Sequence, residues 1–217
     1  MRQRDTFSVA NINLATFQQR LVSGSVDELI TDALADDDPW LFREDTASYE
    51  ALKEHLRERL GLGDMTCVVV GSAKYGFSIS PDTFGQPFRE SSDIDVALFS
   101  ASLFDEFWNS LLRWRYPWHT RKWQKSEAMW AVNHMEDHIA GSVDPLRVRV
   151  RIHDAMRIPT PVRDRVTQWF DAFRLAENIG PARGHTVEGR IYRTEDHLKH
   201  YLRWGLGLVR NKLGEQQ

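Results

Sequence analysis

Asp93 and Asp95 stand one residue apart at the head of an apolar run, Asp93-Ile94-Asp95-Val96-Ala97-Leu98-Phe99. Extended backbone alternates its side chains between two faces, so both carboxylates project to the same side. Carboxylates this close repel unless a cation sits between them, and Mg²⁺ is held by carboxylates together with phosphate oxygens. Upstream, a second apolar run (65–70) ends in Gly71-Ser72. A short helix over 73–78 would carry Ser72 at its N-terminus, where free N–H groups attract phosphate. Taken singly, each element has a plain explanation. Asp favours turns at strand starts, and Gly-Ser is an ordinary strand-to-helix turn with Ser as cap. Together they favour a phosphate site beside a cation site.

Gly71-Ser72 closing one strand and Asp93-x-Asp95 opening the next resembles the DNA polymerase β-like nucleotidyltransferase superfamily, over roughly residues 65–100. The resemblance implies an α/β (α+β) fold, a mixed sheet flanked by helices with a helical C-terminal portion. It implies that Gly71 and Ser72 touch the phosphates of a nucleoside triphosphate and that the catalytic Asp93 and Asp95 bind two Mg²⁺ (or Mn²⁺) ions. The activity implied is transfer of a nucleoside monophosphate to an acceptor hydroxyl on RNA, tRNA, protein or a nucleotide. A second reading is a catalytically incomplete module of the same fold that binds or regulates. Small stand-alone bacterial nucleotidyltransferases suggest, by analogy, a toxin–antitoxin or phage-defence setting.

The resemblance also implies a third acidic residue on a later strand beside the pair. The clearest period-two pattern is 146–152, whose polar face carries Arg147, Arg149 and Arg151. No acid lies on it. The candidates for a third metal ligand are therefore Asp154 or Asp144 at the strand ends, or Glu136 and Asp137 if another segment serves. An arginine about 4 Å from the aspartates would compete with a metal for roughly 4 kcal/mol. The same arginines could instead grip the triphosphate bidentately or simply face solvent.

Other constellations carry weaker chemistry. Lys74 follows Ser72 closely, as a phosphate contact or a solvated lysine. Residues 113–125 interleave basic and aromatic side chains, a pattern that suits stacked, single-stranded RNA or a set of core tryptophans. Arg190, Tyr192 and Arg193 precede the last helix and could meet a phosphate or a base, or form a surface loop. His134 and His138 have zinc-ligand spacing without a clear third ligand, and Asp36-Asp37-Asp38 reads as a solvated helix end.

With 217 residues, 41% hydrophobic and 27% charged, the composition is that of a globular protein. A net charge of −3 excludes a general nucleic-acid coat. Cys67, the single cysteine, excludes an internal disulfide or a cysteine zinc site. No signal core or eighteen-residue apolar run occurs, so no membrane association and a cytoplasmic address are expected. Periodicity predicts helices from Ser25 to Leu34, over 46–60 up to Gly61, from Ser102 towards Pro117, over 120–139, from Thr160 to before Gly180, and from Thr194 to Leu213. Residues 73–91 read as a long connection beside the site. The expected organisation is a catalytic domain with N-terminal helices over 1–155 and a helical C-terminal region over 156–217 packing on it.

Overall fold

The computed structural model describes residues 12–35, 38–63, 65–115, 137–145 and 160–215. The chain enters through α1 (Leu14–Ser23) and α2 (Val26–Leu34). Asn13 caps α1 by accepting from the Thr16 amide at 2.9 Å, and Phe17 and Leu21 bury the face behind it. Ser25 stands in the cap position of α2, but its hydroxyl makes no cap bond there; Asp27 and Glu28 in the first turn complement the helix dipole instead. After a 3₁₀ turn at Trp40–Phe42 comes α3 (Thr46–Leu60). Asp45 caps it by accepting from the Ser48 amide at 3.1 Å. Gly61 stops it with φ 65°, and Leu62 N–H donates back to the Arg57 carbonyl.

β1 (Thr66–Val70) leads into α4 (Gly71–Tyr75), and β2 (Ile94–Phe99) leads into α5 (Ala101–Arg115). The cap of α5 is Ser100, whose Oγ accepts from the Leu103 amide at 3.2 Å, two residues before the expected Ser102. β3 (Ser142–Val143), α6 (Thr160–Ala176), β4 (Val187–Tyr192) and α7 (Glu195–Gly214) complete the chain. The strands stand in the order β1-β2-β4-β3. β1 is antiparallel to β2, β4 is parallel to β2, and β3 is antiparallel to β4. This is the mixed α/β sheet with flanking helices and a helical C-terminal portion that the sequence led us to expect.

Strand alternation divides the core in two. Cys67, Val69, Val96, Leu98 and Ile191 face a cluster built with Leu52 and Leu56 of α3, Phe104 of α5 and Phe173 of α6. Val68, Ala97 and Tyr192 face the other way, onto Phe17 of α1, Leu29 of α2 and Leu198 and Leu202 of α7. Gly189 is what lets α6 approach. A methyl group there would stand 2.3 Å from Phe173 Cζ and 2.8 Å from Trp169 Cζ2. Those two rings stack at 4.6 Å directly over the strand.

Two expectations change. Residues 187–192, read as a loop before the last helix, form β4, an inner strand between β2 and β3. The region beyond residue 155 therefore shares the sheet rather than merely packing on it. The connection over 73–91 is α4 followed by a pinned hairpin: Ser78 N–H donates to the Gln86 carbonyl at 2.8 Å, and Phe88 N–H to the Gly76 carbonyl at 2.9 Å. The expected strand over 146–152 and nearly all of the helix expected over 120–139 lie outside the described residues. Among the described residues no helix is long and apolar enough to cross a membrane.

Two glycines give opposite expectations. Gly189→Ala should destabilise the protein by about 1–3 kcal/mol through overpacking against α6. Gly207→Ala, where an added methyl meets nothing within 4 Å inside α7, should stabilise it by about 0.5–1 kcal/mol. Urea denaturation midpoints check both, and equal shifts in the two variants would refute the packing argument.

Candidate active site

The C-terminal end of β1 and the N-terminal ends of β2 and β4 meet at one edge of the sheet. Asp95 has Val70 opposite on one side and Glu188 opposite on the other. Alternation puts Asp95 on the face of Ala97, and Glu188 on the face of Arg190 and Tyr192. A cleft of about 890 Å³ opens there, lined among others by Gly71, Ser72, Asp93, Asp95, Glu188 and Arg190.

Local backbone accounts for the placement. Gly71 has φ 65°, and a methyl group on it would stand 2.9 Å from Asp95 Oδ2. Only glycine takes that conformation without strain, and only its bare Cα leaves room for the Asp95 carboxylate against the turn. The segment before Asp93 is held on both sides. Arg89 N–H donates to Ser92 Oγ at 3.0 Å, His185 Nδ1 donates to the Ser92 carbonyl at 2.8 Å, and Ile94 N–H donates to the Thr186 carbonyl at 2.8 Å. Asp93 is thus presented at the cleft by a turn tied to the start of β4.

The electrostatics are those of crowded acids. The Asp95 carboxyl is pushed up to about 6, first by burial, then by Glu188 and Asp93, with Arg190 pulling the other way. Asp95 as a whole residue is exposed, but it lines a cleft where surrounding protein replaces much of its water. Glu188 is also raised, by burial, then Asp93, then Asp144. Arg190 NH2 lies 3.6 Å from Asp144 Oδ2, and its guanidinium carbon lies 5.7 Å from the centre of the Tyr201 ring. Burial works against the Arg190 charge, but Tyr192, Asp144, Tyr201 and Asp137 together hold its pKa above the usual value. Burial, countered by Arg190, pushes Tyr192 up to about 12.

Gly71, Ser72, Asp93 and Asp95 are therefore brought to one place, and Asp144 lines the same cleft. Lys74 is not there, which corrects its reading as a phosphate contact. It is fully buried, and its Nζ donates to the Ala35 carbonyl at 2.9 Å. Arg193 is likewise turned away, paired with Asp105 at 3.1 Å on the surface. Tyr192 borders the cleft but is buried, closed to stacking with a base. His138 packs beside the rings of Phe104 and Trp108, 5.4 and 4.9 Å between centroids. Asp154, Glu136, His134, Arg147, Arg149, Arg151, Asp36, Asp37 and residues 116–125 lie outside the described residues.

Glu188 was missed in the sequence. The pattern that reveals it is Val187, Gly189 and Ile191 on one face against Glu188 and Arg190 on the other, hidden by a glycine at the strand's centre. Among the described residues no group of three or more His, Cys, Asp or Glu side chains is placed to hold a metal ion by itself. An open set of carboxylates suits Mg²⁺, which keeps waters and takes phosphate oxygens alongside one or two carboxylates. No protein-family model, curated protein or solved structure matches the chain.

Because the fold lifts Asp95 from 3.8 to about 6, the stability this group contributes is fully present below pH 3.8 and is lost as the pH rises through about 6. Asp95→Asn, which cannot ionise, should therefore melt above the unsubstituted protein at pH 7.5 without added metal, and the gap should close towards pH 4. A gap that does not change with pH, read by thermal melts, would refute the crowding of acids.

Proposed function

We propose that the cleft is the active site of a Mg²⁺- or Mn²⁺-dependent nucleotidyltransferase, which moves a nucleoside monophosphate from a nucleoside triphosphate to an acceptor hydroxyl. The observation that supports this reading most is Glu188 opposite Asp95, in the place where the resemblance asked for a third acid. The donor set fits a hard cation. Asp93, Asp95 and Glu188 are oxygen donors at one edge of the sheet, and both Asp95 and Glu188 are raised, first by burial and then by neighbouring acids, Asp93 among them in each case. One or two of these carboxylates, together with phosphate oxygens, would hold the ion, which supplies charge neutralisation and polarisation of the phosphate oxygens when bound.

The chain's own residues do the positioning. Gly71 seats the Asp95 carboxylate against the turn, so an ion on Asp95 would lie close to a phosphate held at Ser72. Ser72 lines the cleft next to Gly71, and a serine hydroxyl can donate to a phosphate oxygen. Arg190 brings a planar guanidinium to the same wall, hydrogen-bonded to the Tyr192 hydroxyl and 3.6 Å from Asp144, and its five N–H donors are enough to reach an incoming phosphate as well. The protein's contribution is orientation and electrostatics, as in phosphoryl transfer generally.

Incubation with each radiolabelled nucleoside triphosphate, Mg²⁺ or Mn²⁺, and total RNA, protein or nucleotide acceptors tests the reading. Label should pass to an acceptor, and Asp93→Ala, Asp95→Ala and Glu188→Gln should each lower transfer by on the order of 10²-fold or more while leaving the fold intact. Mg²⁺ should raise the melting temperature at pH 7.5, and do so less at pH 5, where Asp95 is protonated. Transfer that persists in these variants would end the proposal. Tight nucleotide binding without product would point instead to a regulatory nucleotide-binding module.

A further inference from the structure

The cleft continues past the carboxylates to α7. Leu198, Leu202 and Leu206 bury one side of this helix, while Tyr201 and Trp204 line the cleft with 51% and 65% of their surfaces exposed. Positions three apart share a helix face, so the two rings lie on neighbouring turns of one wall. Beside them the helix is bare. A methyl group on Gly205 would meet only Pro81 Cδ, at 4.0 Å. Ser78, Ser80, Thr83 and Gln86 of the hairpin after α4 line the same cleft. Lys212 Nζ donates to the Pro81 carbonyl at 2.9 Å, tying that hairpin to α7. Arg190 joins the two ends of the cleft. It lies two residues along β4 from Glu188, about 6.6 Å at the usual strand rise, and its guanidinium reaches Tyr201.

The cleft thus runs from carboxylates to a guanidinium to exposed aromatic faces beside hydroxyl-bearing residues. We infer that Tyr201 and Trp204 form the stacking platform for the base of the nucleoside triphosphate, with Arg190 between that platform and the carboxylates. The inference rests on the proposed reading of the cleft as a nucleotide site. It commits to a nucleotide because a single such molecule carries both a phosphate chain for the polar end and a flat π-surface for the aromatic end. Stacking accepts every base, so the platform supplies affinity, and selection among bases falls to the polar residues of the hairpin.

Calorimetric titration with Mg²⁺–ATP and with Mg²⁺–tripolyphosphate separates the two layers of the argument. The unsubstituted protein should bind ATP more tightly than tripolyphosphate, by roughly 5- to 150-fold for one stacked base. Tyr201→Ala and Trp204→Ala should each weaken ATP while leaving tripolyphosphate unchanged, and Tyr201→Phe should keep the preference. Both positions are exposed, so the variants should retain the melting temperature. Tripolyphosphate and ATP binding equally well, or an ATP preference that survives both alanine variants, would overturn the platform and leave the phosphate site standing. Failure of both ligands to bind would overturn both. Concentration-dependent dimerisation that Trp204→Ala abolishes, with no change in ATP affinity, would assign the rings to a second copy of the chain and overturn the platform as well.

Discussion

Like-charge crowding at the sheet edge is the constraint around which this fold is arranged. Neighbouring strands run about 4.8 Å apart, and acids facing each other across such a pair repel. Asp95 and Glu188 face each other in this way, with Asp93 close enough to raise both. An unconstrained chain would swing them apart. Here the two-sided core fixes the register, because a one-residue slip of β4 would turn Ile191 out of its cluster and Tyr192 into it. The energy of apolar burial elsewhere thus holds the acids where they oppose folding. Such tension is characteristic of functional sites.

Much of this architecture was legible because its causes are local. α3 could be read almost to the residue from its apolar stripe and the glycine that stops it, while its Asp45 cap went unread. The same holds for β1 and β2, where β-branched and apolar runs end in glycine or begin with aspartate. The turn and the paired aspartates needed only alternation and the chemistry of carboxylates. What could not be read depends on distant partners. Glu188 gains its meaning from Asp95 across a parallel ladder, and no short-range pattern announces that pairing. Lys74 looked like a phosphate ligand because it follows Ser72, but α4 turns it inward to the Ala35 carbonyl. α1 went unread because its buried face is short, essentially Phe17 and Leu21, and its cap is a lone asparagine.

α7 shows how one helix serves two surfaces. Its leucines close the second core while its next row of side chains borders the cleft. The glycines at 205 and 207 weaken it as an isolated helix, yet it runs unbroken from Glu195 to Gly214. Tertiary packing against α1 and α2 outweighs the propensity cost. Arg203 adds a surface tie to Asp27 of α2 at 2.6 Å. The wall of the cleft is therefore fixed to the part of the chain farthest from it in sequence.

The position of β4 also sets an order of assembly. β1 and β2 can find each other through the hairpin between them, a contact of modest span. β4 must await α5, β3 and α6, and then slot between β2 and β3. Pairings of such long span carry the largest loop-closure cost and form slowly. On an emerging polypeptide the twin aspartates therefore appear long before their partner acid, and the corner stays electrostatically relaxed until the final ladder zips shut. Completion of the pocket and completion of the sheet are thus one and the same pairing, β2 with β4.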